Sequence, residues 1–167
     1  MILPIVIDPN EVLRAPAQSI TEITPEILQL AADMRETMHA AQGIGLAAPQ
    51  VGKSLKLIVV EAEGEKRGEE VPYLALINPR ITWNSTQRTT FTEGCLSIPG
   101  VEGDVSRPAQ VRVKALDLEG NEVQIEAKGL FARVLQHEID HLNGKLFTDY
   151  LPKKELRERD APEYDRA

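Results

Sequence analysis

Cysteine is nearly absent from this chain: Cys95 is the only one in 167 residues, so no internal disulfide can form and a reducing compartment suits the protein. Basic residues are not in excess. A formal net charge of −7 argues against non-specific binding to nucleic acid or an anionic membrane. Long apolar runs are missing too; none approaches the roughly 18 residues that span a bilayer. Met1–Val6 is apolar but short, no basic segment precedes it, and Asp8, Pro9 and Glu11 soon break the apolar run, so it reads as mature structure rather than a secretory signal. There is no internal repeat, low-complexity tract or evident linker. The length suits one domain over residues 1–167 with a single sizeable core.

Thr24-Pro25 predicts a helix start, with Thr24 as cap and Pro25 in the first helical position. Ile27, Leu30, Ala31, Met34, Met38 and Ala41 recur at helical spacing as one buried face, and Gly43 ends the run. Gly43 to Gly52 is too glycine-rich for a helix and too apolar for an ordinary exposed loop. Leu55–Glu61 reads as a strand, residues 61–70 as a charged, solvated turn, and Tyr73–Ile81 as a second strand broken late by Pro79; Arg88–Thr92 is a third candidate. Val111, Val113 and Ala115 alternate with Arg112 and Lys114. Val123 and Ile125 repeat the pattern after Glu119-Gly120-Asn121, which makes a hairpin. Gly129–Leu142 predicts a second helix stopped by Asn143-Gly144, and a short polar helix is expected from Pro152. The fold class is α+β: mostly antiparallel sheets packed around a central helix.

That central helix carries Gln136-His137-Glu138-Ile139-Asp140-His141. His137 and His141 lie one turn apart on one face, where two imidazoles can grip one divalent ion, and Glu138 can act as a base beside it. Cys95, in Glu93-Gly94-Cys95-Leu96-Ser97, offers a third ligand. Three protein ligands leave one position open, as catalytic sites do. Two imidazoles and a thiolate suit Zn²⁺, Fe²⁺, Ni²⁺ or Co²⁺ alike. Such an ion acidifies a water and polarises a carbonyl. Glu138 would take the water's proton and return it to a leaving nitrogen. The Leu96 amide and the Gln50 side chain are candidate donors to the developing oxyanion. Leu130 and Val134 share the histidine stripe and predict an apolar wall next to the ion. Arg133 and Asp140 are expected to point away from it, Asp140 as a support or surface group, and His39 to be a surface residue.

Together, Gly43-Ile44-Gly45-Leu46-Ala47-Ala48-Pro49-Gln50, Glu93-Gly94-Cys95-Leu96-Ser97 and Gln136-His137-Glu138-Ile139-Asp140-His141 resemble the three motifs of the peptide deformylases, in the family's order and at similar separations. The resemblance implies removal of the formyl group from the N-terminal formylmethionine of nascent bacterial or organellar proteins, with release of formate. It implies Cys95, His137 and His141 as metal ligands, Glu138 as acid/base, Gln50 and the Leu96 amide as oxyanion donors, and Gly45 as a backbone partner of the substrate. Ile44, Leu130, Val134 and Gly94 fall to the substrate pocket. The implied ion is Fe²⁺, with oxidation-resistant Zn²⁺, Ni²⁺ or Co²⁺ as replacements. The implied partners are N-formylmethionyl peptides and nascent chains, with transient ribosome contact. A monomer in a bacterial-type cytoplasm is expected, or an organelle if a presequence has been removed, with no membrane and no sequence-specific nucleic acid. Where some relatives carry a basic residue after the second motif, this chain has Gly100-Val101-Glu102-Gly103-Asp104, which predicts an acidic rim. Glu93 is expected to pair with Arg107 as a brace.

Two other readings compete. A zinc endopeptidase would take a downstream carboxylate, Glu155 or Glu158, as third ligand. A non-catalytic metal- or peptide-binding module would need neither Glu138 nor Gln50.

Overall fold

The structure, a computed structural model, describes residues 1–167. Helix α1 spans Pro25–Ala40 and opens as its sequence dictates: the Thr24 hydroxyl accepts from the Ile27 N–H, and Pro25 sits where no N–H is needed. Strands β1 (Gly45–Ala47), β2 (Leu57–Ala62) and β3 (Val71–Asn84) come next. Strands β4 (Arg88–Cys95) and β5 (Ile98–Pro108) form a long hairpin, and β6 (Gln110–Leu116) and β7 (Glu122–Lys128) another. Helix α2 spans Gly129–Leu142, and β8 is the short Arg157–Glu158. One antiparallel sheet has the order β1-β2-β3-β6-β7, the other β4-β5-β8.

The layers are set by β2. Leu57, Ile58, Val59 and Val60 are all buried, because successive side chains point to opposite faces and both faces are covered. Ile58 and Val60 pack in one core with Leu135 and Ile139 of α2. Leu57 and Val59 pack in another with Leu30, Met34 and Met38 of α1. The opposite side of α2 meets the smaller sheet: Arg133 reaches the Val105 carbonyl and Gln136 the Pro108 carbonyl. A helix clasped between two antiparallel sheets is the α+β arrangement expected from the sequence.

Two expectations need correction, and one strand carries no signal in the sequence. Strand β3 is not ended by Pro79 or at Ile81, the expected limit, but runs on to Asn84. A bulge absorbs the missing N–H: Asn78 takes φ +52°, its side chain pairs with the N–H and carbonyl of Ile20, and pairing with β6 resumes at Arg80. Strand β5 was not legible, since Pro99, Gly100 and Gly103 interrupt its pattern; Gly103 is the gap into which Leu151 packs. There is no helix after Pro152. A single 3₁₀ turn, Lys153–Glu155, leads into β8, and the tail then lies against the start of the chain, where Asp165 and Ala167 bond Ile5. No helix is long and apolar enough to cross a membrane.

Candidate active site

Cys95 ends β4, and His137 and His141 project from one face of α2, so the two sheets meet across the helix at these three side chains. Their donor atoms lie within 4.8 Å of one another, with Cys95 Sγ 3.4 Å from His141 Nε2. His137 Nδ1 donates to Glu93 Oε1 at 2.8 Å, which leaves Nε2 with its lone pair free. Glu138 Oε2 and His141 Nδ1 are buried with no hydrogen-bond partner. A soft sulfur, two imidazoles and an unsatisfied buried carboxylate beside them fit a borderline divalent ion. Burial pushes the Glu138 carboxyl up to about 7. Glu155 and Glu158 lie exposed on the 3₁₀ turn and β8, apart from this donor group, which contains only Cys95, His137 and His141.

Glu93 is the hub beneath the donors. Arg107 forks onto both its oxygens at 2.6 and 2.9 Å, and Arg133 donates to it at 2.6 Å. Burial alone would raise the Glu93 carboxyl. Hydrogen bonds from His137 and Arg107 outweigh burial and hold it well below the usual carboxylate range. Arg133 therefore does not turn away from the histidine stripe, as the sequence had suggested. It lies one turn before His137 on the same face, 5% exposed, and its guanidinium also bonds the Thr89 and Val105 carbonyls. Asp140 stands behind the site, accepting from Arg107 at 2.8 Å and from the Tyr150 hydroxyl at 2.7 Å. His39 is exposed and pairs with Glu61.

Gln50 reaches the same spot from the 3₁₀ turn Ala48–Val51 that succeeds β1. Its Oε1 accepts from the Ala47 N–H at 2.9 Å, which turns the amino group toward Cys95 Sγ (3.5 Å) and Ser97 Oγ (3.2 Å). Gly45 runs so close to α2 that a Cβ there would stand 2.8 Å from Glu138 Oε1 and 2.9 Å from Val134 Cγ1, so any other residue would have to push these side chains aside. A cavity of about 850 Å³ opens from these groups. Ile44, Leu130 and Val134 supply its apolar walls, and Gly45, Gly94 and Leu96 also line it. Behind Leu96, the Tyr164 hydroxyl donates to the Leu96 carbonyl at 2.7 Å.

The family model described as polypeptide deformylase matches residues 2–157. The chain belongs to the peptide deformylase family. It is 48% identical to the peptide deformylase of Acinetobacter baumannii (strain SDF) over 163 residues, 97% of this chain and 90% of that one. Identity to the Rhizobium meliloti (strain 1021) peptide deformylase is also 48%, over 91% of this chain and 86% of that one. The crystal structure of the Ehrlichia chaffeensis peptide deformylase superposes with a TM-score of 0.87 at 41% identity, covering 92% of this chain and 90% of that one. The Synechococcus elongatus enzyme in complex with actinonin gives 0.84 at 44% identity, covering 91% and 80%. Peptide deformylases are metal-dependent hydrolases acting on N-formyl peptides.

Several groups around the peptide deformylase cleft were not visible in the sequence. Lys66 and Arg67, from the charged 61–70 turn, come to its mouth, as does Arg159 from beyond β8. The expected acidic rim is also corrected: Glu102 and Asp104 are both taken up by Arg157, at 3.0 and 2.9 Å. A register pairing Val101 with Glu158 and Glu102 with Arg157 brings these charges together, and no local pattern announces it.

Proposed function

We propose that this chain hydrolyses the N-formyl group of formylmethionine at the N-terminus of nascent polypeptides, releasing formate and a free amine. The observation that carries the reading is the convergence of a buried carboxylate with one unpartnered oxygen (Glu138 Oε2), an oriented amide donor (Gln50) and three soft-to-borderline ligands at the inner end of one apolar-walled cleft. Cys95, His137 and His141 would hold the ion. A divalent metal, Fe²⁺ in vivo with Zn²⁺, Ni²⁺ or Co²⁺ able to replace it, supplies the Lewis acidity that acidifies water and polarises the formyl carbonyl.

The chain's own groups do the rest. Glu138 takes a proton from the attacking water as its oxygen adds to the formyl carbon, then passes that proton to the amine nitrogen as the C–N bond breaks. The Gln50 amino group and the Leu96 N–H donate to the oxygen that gains charge. Strand β1 is the edge of its sheet, paired only with β2, so its outer side is free to accept an extended peptide at Gly45. Ile44, Leu130 and Val134 would receive the methionine side chain, with Gly94 beside them. Glu93 and Arg107 brace His137. The same reading covers a monomer that meets nascent chains near the ribosome in a bacterial-type cytoplasm.

The test is formate release from formyl-Met-Ala-Ser under anaerobic conditions, with metal analysis of the same sample. Glu138→Gln should lower turnover by roughly two to four orders of magnitude, the range of acid–base assistance, and keep its metal. Cys95→Ala should lose the metal. Unchanged formate release by Glu138→Gln would assign the proton transfer elsewhere, and a Cys95→Ala protein that kept both metal and peptide-bond cleavage would favour the endopeptidase reading.

A further inference from the structure

The tail beyond β8 lies outside the span matched by the family model, yet it delivers a cation to the cleft. The Arg159 N–H bonds the Gly100 carbonyl at 3.0 Å, extending the β8–β5 ladder by one residue and fixing where the side chain starts. Its guanidinium then lies flat against Gly94, so close that no Cβ would fit between them. Arg157, two residues earlier, is spent on Glu102 and Asp104. Arg159 has no such partner: its guanidinium takes part in no ion pair or side-chain hydrogen bond, and it is exposed at the cleft mouth, against the residue that precedes Cys95. Lys66 and Arg67 stand at the same mouth. Of the three carboxylates that line the cleft, Glu93 and Glu138 are buried at its inner end, and Glu69 is turned onto the Glu65 and Lys66 amides of its own loop.

A chain with net charge −7 thus presents a locally cationic substrate entrance. We infer that Arg159 is a specificity-determining residue that selects acidic side chains in the residues after methionine. Building on the proposed deformylase reading, it pairs with a substrate carboxylate as the peptide lies along β1 and passes Gly94.

The test compares kcat/KM for C-terminally amidated formyl-Met-Glu-Ser and formyl-Met-Lys-Ser in wild type, Arg159→Lys and Arg159→Glu, with calorimetric affinities for both peptides in the Glu138→Gln background. Wild type should favour the Glu peptide roughly threefold to tenfold at low salt, the scale of an exposed ion pair gained against one repelled. Arg159→Lys should keep the preference, Arg159→Glu should reverse it, and 0.5 M salt (roughly a 4 Å screening length) should flatten it. A preference absent in wild type, or unmoved by Arg159→Glu, overturns the inference. A preference that appears only with free-acid peptides also overturns it, because the C-terminal carboxylate would then be the ligand. Because affinity is read separately, failure of all peptides to release formate would count against the proposed hydrolysis while the affinity order still decides the role of Arg159.

Discussion

Replacing Glu93 by Gln keeps the shape of the side chain and removes what three neighbours rely on. The carboxylate is 5% exposed and receives two bonds from Arg107, one from Arg133 and one from His137 Nδ1, all between 2.6 and 2.9 Å. An amide has one accepting oxygen. Its NH₂ would face guanidinium donors or the imidazole N–H, leaving buried Arg133 without a countercharge and Arg107 with Asp140 alone. Breaking a buried ion pair from one side costs about 3–5 kcal/mol. For a chain of this size that is a fall in melting temperature of roughly 6–20 °C. A second consequence is independent of stability. With no anionic acceptor at Nδ1, the tautomer that presents Nε2 to the ion is no longer enforced, and metal affinity should drop about 10–100-fold. Denaturant titration of the metal-free protein measures the first effect and competitive metal titration the second. A loss below about 1 kcal/mol, within the range of a surface pair, together with unchanged affinity, would refute the view that Glu93 holds the site together.

Gly45→Ala should leave the metal bound while lowering kcat by about 100-fold, since its Cβ would press on Glu138 and Val134 and a displacement near 1 Å at a reacting group carries that scale of loss. Steady-state formate assays on the metal-loaded protein check it, and a normal kcat would mean that Glu138 tolerates the push. Gln50→Ala should lower kcat by about 10²–10³-fold with little change in metal content, the effect of removing one oxyanion donor. A change confined to KM would instead make Gln50 a binding group.

Much of the fold could be read locally. The capped apolar stripe of α1, the β6–β7 hairpin and the limits of α2 depend on residues within a few positions of one another, and periodicity reports such relations directly. The same holds for the pair His137 and His141, whose geometry is set by one helical turn. Strand β5 was hidden because its identity comes from its partner β4 rather than from its own residues; glycine and proline are tolerated where the facing strand and Leu151 fill the space. The burial of Arg133 is hidden from local sequence for a related reason. A charged residue in an amphipathic helix is ordinarily placed in solvent, and only the arrival of Glu93 from another sheet makes burial of its guanidinium favourable.

The amino-acid order alone determined the element types that rest on short-range spacing, the membership of three motifs, and the kind of chemistry that one thiol, two imidazoles and a carboxylate can perform. The tertiary structure decided which side chains meet. It joined Glu93 to Arg107, Arg133 and His137, aimed Gln50 at the sulfur, laid Arg159 over Gly94 and pinned Tyr164 behind Leu96. Contacts between residues far apart in the chain are set by strand order, register and packing, and no short stretch of sequence carries that information.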